Sequence, residues 1–166
     1  MHSNMKIRKT KLEELPILMK MYETARTFMA SHGNPTQWGT SYPSLSLIES
    51  DIASGYSYVC EDHGKVIGTF YFRQGTDDNY ARIYNGDWLN EAPYGVVHRI
   101  VSDGTVKGTA GFCLDWALSQ CANLKIDTHR NNHVMQHVLE KFGFTYCGLI
   151  YNADGTERLA YQKTIS

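Results

Sequence analysis

Between Tyr94 and His129 the hydrophobic period changes twice, and that change constrains the fold more than any other feature. YGVVHRIV (Tyr94–Val101) is apolar and rich in β-branched residues, as a strand requires. The glycine-containing turn SDGTVKG follows, and then a helical pattern from about Thr109 to Ala122. That helix has one formal charge, Asp115, so most of its sides should be buried. LKIDTH (Leu124–His129) reads as the next strand. Strand, helix and strand in this order imply a parallel pair joined by a right-handed crossover.

The flanking segments build a sheet around that pair. Lys6–Lys9 reads as a short strand. Thr10 and Glu13 then form a capping box for a helix running to about Ala30, with Pro16 marking a kink or a restart. HGNPTQWGTSYP (32–43) is a loop bearing Trp38 and Tyr42, and a second helix runs from Ser44 to about Ser54. Tyr56–Asp62 and Lys65–Arg73 read as a hairpin turned at His63-Gly64. A polar loop from Gln74 to Pro93 separates it from Tyr94. After the central unit come a helix over Asn131–Phe142, stopped by Gly143, and two strands, Phe144–Tyr151 and Arg158–Thr164. The order predicts an α/β (α+β) fold: a mixed, mostly antiparallel twisted sheet with a central parallel pair, flanked by about four helices.

Composition narrows the partners. A formal charge of −1 on 166 residues gives no clustered basic surface for nucleic acid or an anionic membrane. No apolar run approaches the ~20 residues of a membrane span, and the N-terminus has no apolar leader segment. Cys60, Cys113, Cys121 and Cys147 form no C-x-x-C pair, which favours reduced thiols in a cytoplasmic protein over a metal or disulfide framework. His129, His133 and His137 lack the glutamate of a metalloprotease helix, so no metal is expected. The opening MHSN (1–4) is taken as an appended remnant outside the fold.

The turn SDGTVKGTAG fits neither common phosphate loop, because its spacing matches neither Gly-x-x-x-x-Gly-Lys-Ser/Thr nor Gly-x-Gly-x-x-Gly. It nevertheless places a helix N-terminus, with unpaired amides and partial positive charge, directly after a strand, and this suits a pyrophosphate. Gly108 and Gly111 would let the backbone approach, and Lys107 adds a charge. With its surroundings, this stretch resembles the acetyl-CoA motif of the GNAT N-acetyltransferases. Gly108-Thr109-Ala110 matches the Gly-x-Gly/Ala end of that motif. In IDTHRNNHVMQHVLEKFGF, Asn132 and Gly143-Phe144 match the strand-helix that follows it, and the helices ending in QWGTSYP are similar to the region covering the acceptor.

The resemblance implies one acyl-CoA N-acyltransferase domain over residues 5–166. It would move acetyl from acetyl-CoA to a primary amine of a small molecule by direct attack; the alternative is a non-catalytic acyl-CoA-binding module. It implies cofactor contacts from Arg99, Ile100 and Val101, whose amides would hold the pantetheine arm and the oxyanion, and from Val106, Lys107, Gly108, Thr109, Ala110, Gly111, Asn132 and Met135. Trp38, Tyr42, Tyr84 and Trp88 would line the acceptor pocket, and a homodimer is compatible with the pattern. The sequence departs from the family at two places: Thr105 stands at the usual Gln/Arg, and Leu139 where the family has its general-acid tyrosine. A protonated amine near pKa ~10.4 needs a base, for which His98 and Asp87 are the candidates, with Tyr146, Tyr151 or water as the acid. Alternation puts His98 and Arg99 on opposite faces, so both reach one site only if the strand is bulged.

Overall fold

The computed structural model describes residues 4–165, so Met1–Ser3, expected to lie in an appended remnant, and Ser166 fall outside the described residues. The elements are β1 (Met5–Lys9), α1 (Leu15–Ser31), α2 (Leu45–Ala53), β2 (Ser57–Asp62), β3 (Lys65–Gln74), β4 (Gly95–Ser102), α3 (Thr109–Cys121), β5 (Asn123–Thr128), α4 (His133–Lys141), β6 (Thr145–Tyr151) and β7 (Glu157–Thr164). All seven strands join one sheet in the order β1-β2-β3-β4-β5-β7-β6, and only β4 and β5 pair in parallel. The mixed sheet with one central parallel pair is thus as the sequence predicts.

Two helix starts differ from expectation. Thr10 does not cap; its hydroxyl shares a 2.8 Å hydrogen bond with Ser57 in β2. Instead the Lys11 amide donates to the Glu14 carboxylate at 2.8 Å, opening a 3-10 turn over Leu12–Glu14. Glu14 takes this place rather than Glu13 because Arg8 of β1 donates to its two oxygens at 2.9 and 2.8 Å. The α-helix then restarts at Leu15 with Pro16 in its first turn, where a missing amide costs nothing. Helix α4 begins two residues later than expected, since Asn132 caps it by accepting from the Met135 amide at 3.0 Å.

Each face of the sheet is covered. Helices α3 and α4 bury Phe70, Phe72, Val97, Ile100, Leu124, Ile126 and Leu159 on one face. On the other, α1 and α2 close over Val59, Val66 and Val101 through Leu18, Tyr22 and Ile48. The 75–94 loop covers Val96, Ile150 and Ala160 with Tyr80 and Trp88. Gly111 sets how closely α3 approaches α4: a β-carbon there would lie 1.9 Å from Cζ of Phe142.

Two stability predictions follow from these contacts. Gly111→Ala should cost about 1–3 kcal/mol in urea unfolding, as overpacked cores do, and the cost should shrink when Phe142 is also truncated to Ala. The Glu14 carboxyl is held below its ordinary range, chiefly by Arg8 and against the effect of burial. Its folded value lies below the unfolded one, near ~4.3, so its contribution is complete above that pH and is lost as pH falls through the folded value. The denaturation midpoint should therefore drop between about pH 5 and 3, and Glu14→Gln should flatten that slope.

Candidate active site

The turn between β4 and α3 is built to expose amides. Asp103 is tied back by its own amide to the Ile67 carbonyl at 2.8 Å, and its carboxylate accepts from the Thr105 amide and hydroxyl at 3.0 and 2.6 Å. Thr105, at the family's Gln/Arg position, is therefore spent on shaping the turn. Gly108 precedes the helix at φ 83°, a left-handed conformation that favours glycine. Thr109 donates its hydroxyl to the Val106 carbonyl at 2.7 Å and locks the first turn. Among the described residues the amides of Val106, Lys107 and Gly108 meet no protein acceptor. With the first amides of α3, which no helical carbonyl can reach, they form a concave set of donors suited to a pyrophosphate. The need for glycine at position 111 comes from Phe142, not from that set.

Above the turn, β4 parts from β5. Only Gly95↔Leu124 and Val96↔Lys125 pair, and beyond Val96 the β5-facing edge of β4 has no strand partner among the described residues. On its other side β4 is bulged: Thr69 pairs with Val101 and Tyr71 with His98, so Phe70 alone faces Arg99 and Ile100. The packing requires this extra residue. Val97 and Ile100 both face α3, while Val96 and Val101 both face away, and strict alternation over these spacings would split each pair. Arg99 absorbs the distortion at φ 53°, costly for a non-glycine residue.

Three contacts hold Arg99 there. The Tyr22 hydroxyl donates to its carbonyl at 2.9 Å. Its guanidinium donates to both oxygens of buried Asp51 at 3.0 and 3.1 Å and to the Tyr42 hydroxyl at 3.0 Å. Burial pulls the Arg99 guanidinium down, but Tyr42 and Asp51 outweigh it and raise its pKa.

The bulge brings His98 and Arg99 to the same face. The Arg99 guanidinium lies 4.6 Å over the Tyr71 ring, and the His98 ring centre is 5.6 Å from the same ring. His98 Nε2 pairs with the Asp77 carboxylate at 2.8 Å. Burial opposes ionisation of Asp77, yet His98 prevails and the carboxyl sits below its ordinary value.

Contacts and strand pairing arrange side chains around the fork between β4 and β5. From His98 the ring runs to Tyr80, 6.0 Å away, whose hydroxyl donates to Asp127 of β5 at 2.6 Å. Asp127 pairs with Ala160 of β7, two residues from Arg158. Arg158 donates to the Gln37 carbonyl at 3.2 Å, and the neighbouring Trp38 ring lies 6.2 Å from that of Tyr42. Tyr42 returns the chain to Arg99.

The remaining expected residues fall as follows. Asn132 caps α4 and donates to Gln37 at 3.1 Å, fixing the loop that carries Trp38; it also lines a cleft of about 160 Å³ between α1 and α4. Met135 is half-buried against the α3-side core. Trp88 donates to the Tyr80 carbonyl at 3.0 Å and backs the ring from outside, with the Lys125 ammonium 4.1 Å from its own ring. Tyr84 bridges to Leu149 by backbone and stacks edge-on against Tyr151, away from Arg99. Asp87 is an exposed loop acid. Tyr146 lies half-exposed on β6, the far edge strand, three strands and about 14 Å from β4. Leu139 is fully buried in the core. The sequence reading missed Tyr22, Asp51, Asp77, Tyr80, Asp127 and Arg158. Asp51 had a signal, standing between Ile48 and Ile52 on the apolar stripe of α2.

No helix among the described residues is long and apolar enough to cross a membrane. No protein-family model matches the sequence, and no curated protein matches it either. Solved structures do match. A GNAT-family acetyltransferase from Streptococcus agalactiae is 32% identical, with a TM-score of 0.90 over 100% of this chain and 98% of that one. A putative acetyltransferase from Staphylococcus aureus is 26% identical, with a TM-score of 0.71 over 96% of this chain and 99% of that one. The NatC complex bound to Gag peptide and CoA shares the fold at 11% identity, with a TM-score of 0.65 over 98% of this chain and 99% of that one. By its sheet, its forked parallel pair and its full-length likeness to the streptococcal enzyme, the chain is an acyltransferase that belongs to the GNAT acetyltransferase family.

Proposed function

We propose that this acetyltransferase moves the acetyl group of acetyl-CoA directly to a primary amine of a small molecule in the cytoplasm. The observation that carries the reading is the fork beyond Val96 combined with the bulge at Arg99. The free edge of β4 offers unpaired backbone groups for a pantetheine arm arriving from the Lys107–Ala110 amides. The bulge turns His98 toward the opposite side, where an amine would approach. Acetyl-CoA would supply the activated thioester and a thiolate as leaving group.

His98 serves as the base. With Nε2 donating to Asp77, Nδ1 keeps the lone pair that takes the proton shed by the incoming ammonium. Backbone amides over Arg99–Val101 hold the negative charge that develops on the acyl oxygen. Tyr146 and Tyr151 both stand on the far edge strand, and Leu139 has no proton to give. The thiolate therefore leaves to water, which an ordinary thiol pKa of ~8.5 permits near neutral pH. Trp38 and Tyr42 wall the amine side, whereas Asp87, Tyr84 and Trp88 take no part.

His98→Gln should lower kcat by about 100-fold or more, while acetyl-CoA affinity by calorimetry stays within about twofold. An unchanged kcat would remove His98 from the role. Acetyl-CoA binding without thiol release for any amine would instead favour a non-catalytic acyl-CoA-binding module.

A further inference from the structure

Of the charges around the ring, Arg158 and Asp127 have neither an opposite charge nor, as Lys125 has, an aromatic face against them. Arg99 is bound to Asp51 and His98 to Asp77. Arg158, only 8% exposed, has no carboxylate oxygen within 4 Å among the described residues. Its guanidinium donates to two backbone carbonyls, those of Glu157 at 2.9 Å and Gln37 at 3.2 Å. The adjacent Glu157 carboxylate is engaged by Arg130 instead. A buried cation held only by neutral carbonyls is expensive unless an anion completes it. Opposite it, Asp127 accepts from the Tyr80 hydroxyl and has no basic partner within 4 Å among the described residues. Lys125, on the same face of β5, is turned away onto the Trp88 and Tyr94 rings.

Asp127 pairs with Ala160, so Arg158 is its diagonal neighbour across β5 and β7, about 7–8 Å away. The two unpaired charges thus sit on one face beside the fork, one for a cation and one for an anion. We infer that Arg158 binds a carboxylate of the acceptor, so that the preferred acceptors are primary amines carrying a carboxylate. The Asp127 carboxylate draws the ammonium end toward His98 before it is deprotonated. Arg158 is a specificity residue in this scheme, acting on the acceptor and not on the reacting atoms. The inference rests on the acetyl-transfer reading above.

The test uses ω-amino acids from glycine to 6-aminohexanoate, each against the amine of equal length lacking the carboxylate, with CoA thiol release as readout. The full-length enzyme should favour the acid at its best chain length by about tenfold or more in kcat/KM, mainly through KM, as expected for a charge-assisted pair. Arg158→Gln should bring that ratio near one, and Arg158→Lys should keep part of it. If Arg158 merely anchors the Gln37 loop, Arg158→Gln will move both members of each pair alike, and the inference falls. It also falls if no chain length shows the preference while the neutral amines are acetylated, and that outcome leaves the acetyl-transfer reading intact. Absence of thiol release with every amine, alongside intact acetyl-CoA binding, would sink both.

Discussion

The buried pair between Arg99 and Asp51 holds the site together. It spans β4 and α2, and with the Tyr22 hydroxyl it keeps a non-glycine residue in a left-handed conformation. Such a pair adds little net stability, because desolvating two charges roughly cancels their attraction. Its value is geometric. Without the extra residue at Arg99, Val101 would turn from the α1–α2 side toward α3, and His98 and Arg99 would part. The strain at Arg99 is localised where β4 leaves β5, as expected of a functional distortion.

From that point the two sides of the sheet divide their work. The turn at Lys107–Ala110 and the unpaired edge of β4 offer backbone donors, whose chemistry does not depend on side-chain identity. The face beneath the 32–43 and 75–94 loops is made of side chains, with paired and unpaired charges. One side is thus a grip built from main chain, and the other a grip built from side chains under loops. It also explains why Thr105 is tolerable in place of a charged residue, since Asp103 uses it to shape the amides themselves.

The architecture was largely legible. Period changes and turn residues gave every strand and helix in order, because each has strong local signals: Ser44 and Asn132 cap helices, and His63-Gly64 turns a hairpin. The capping box at Thr10 failed because Ser57 of the neighbouring strand took its hydroxyl and Arg8 of β1 fixed Glu14 rather than Glu13 as the capping acid. The amide-exposing turn before α3 was legible from glycine and setting. The ring of side chains on the opposite face was not. Asp77 and Tyr80 of the 75–94 loop, Asp127 of β5 and Arg158 of β7 lie on three different segments and come together only through sheet order, which no local pattern encodes. The bulge was recognised as a requirement for His98 and Arg99 to act together, but its place could be fixed only by the register with β3.

In the proposed reaction acetyl-CoA lies in the fork between β4 and β5 with its pyrophosphate on the α3 amides. Backbone amide chemical shifts during an acetyl-CoA titration measure this directly. The largest changes are expected at Val106–Ala110 and at Arg99–Val101, with small ones on β6. Changes confined to other surfaces, with these two stretches silent, would contradict it.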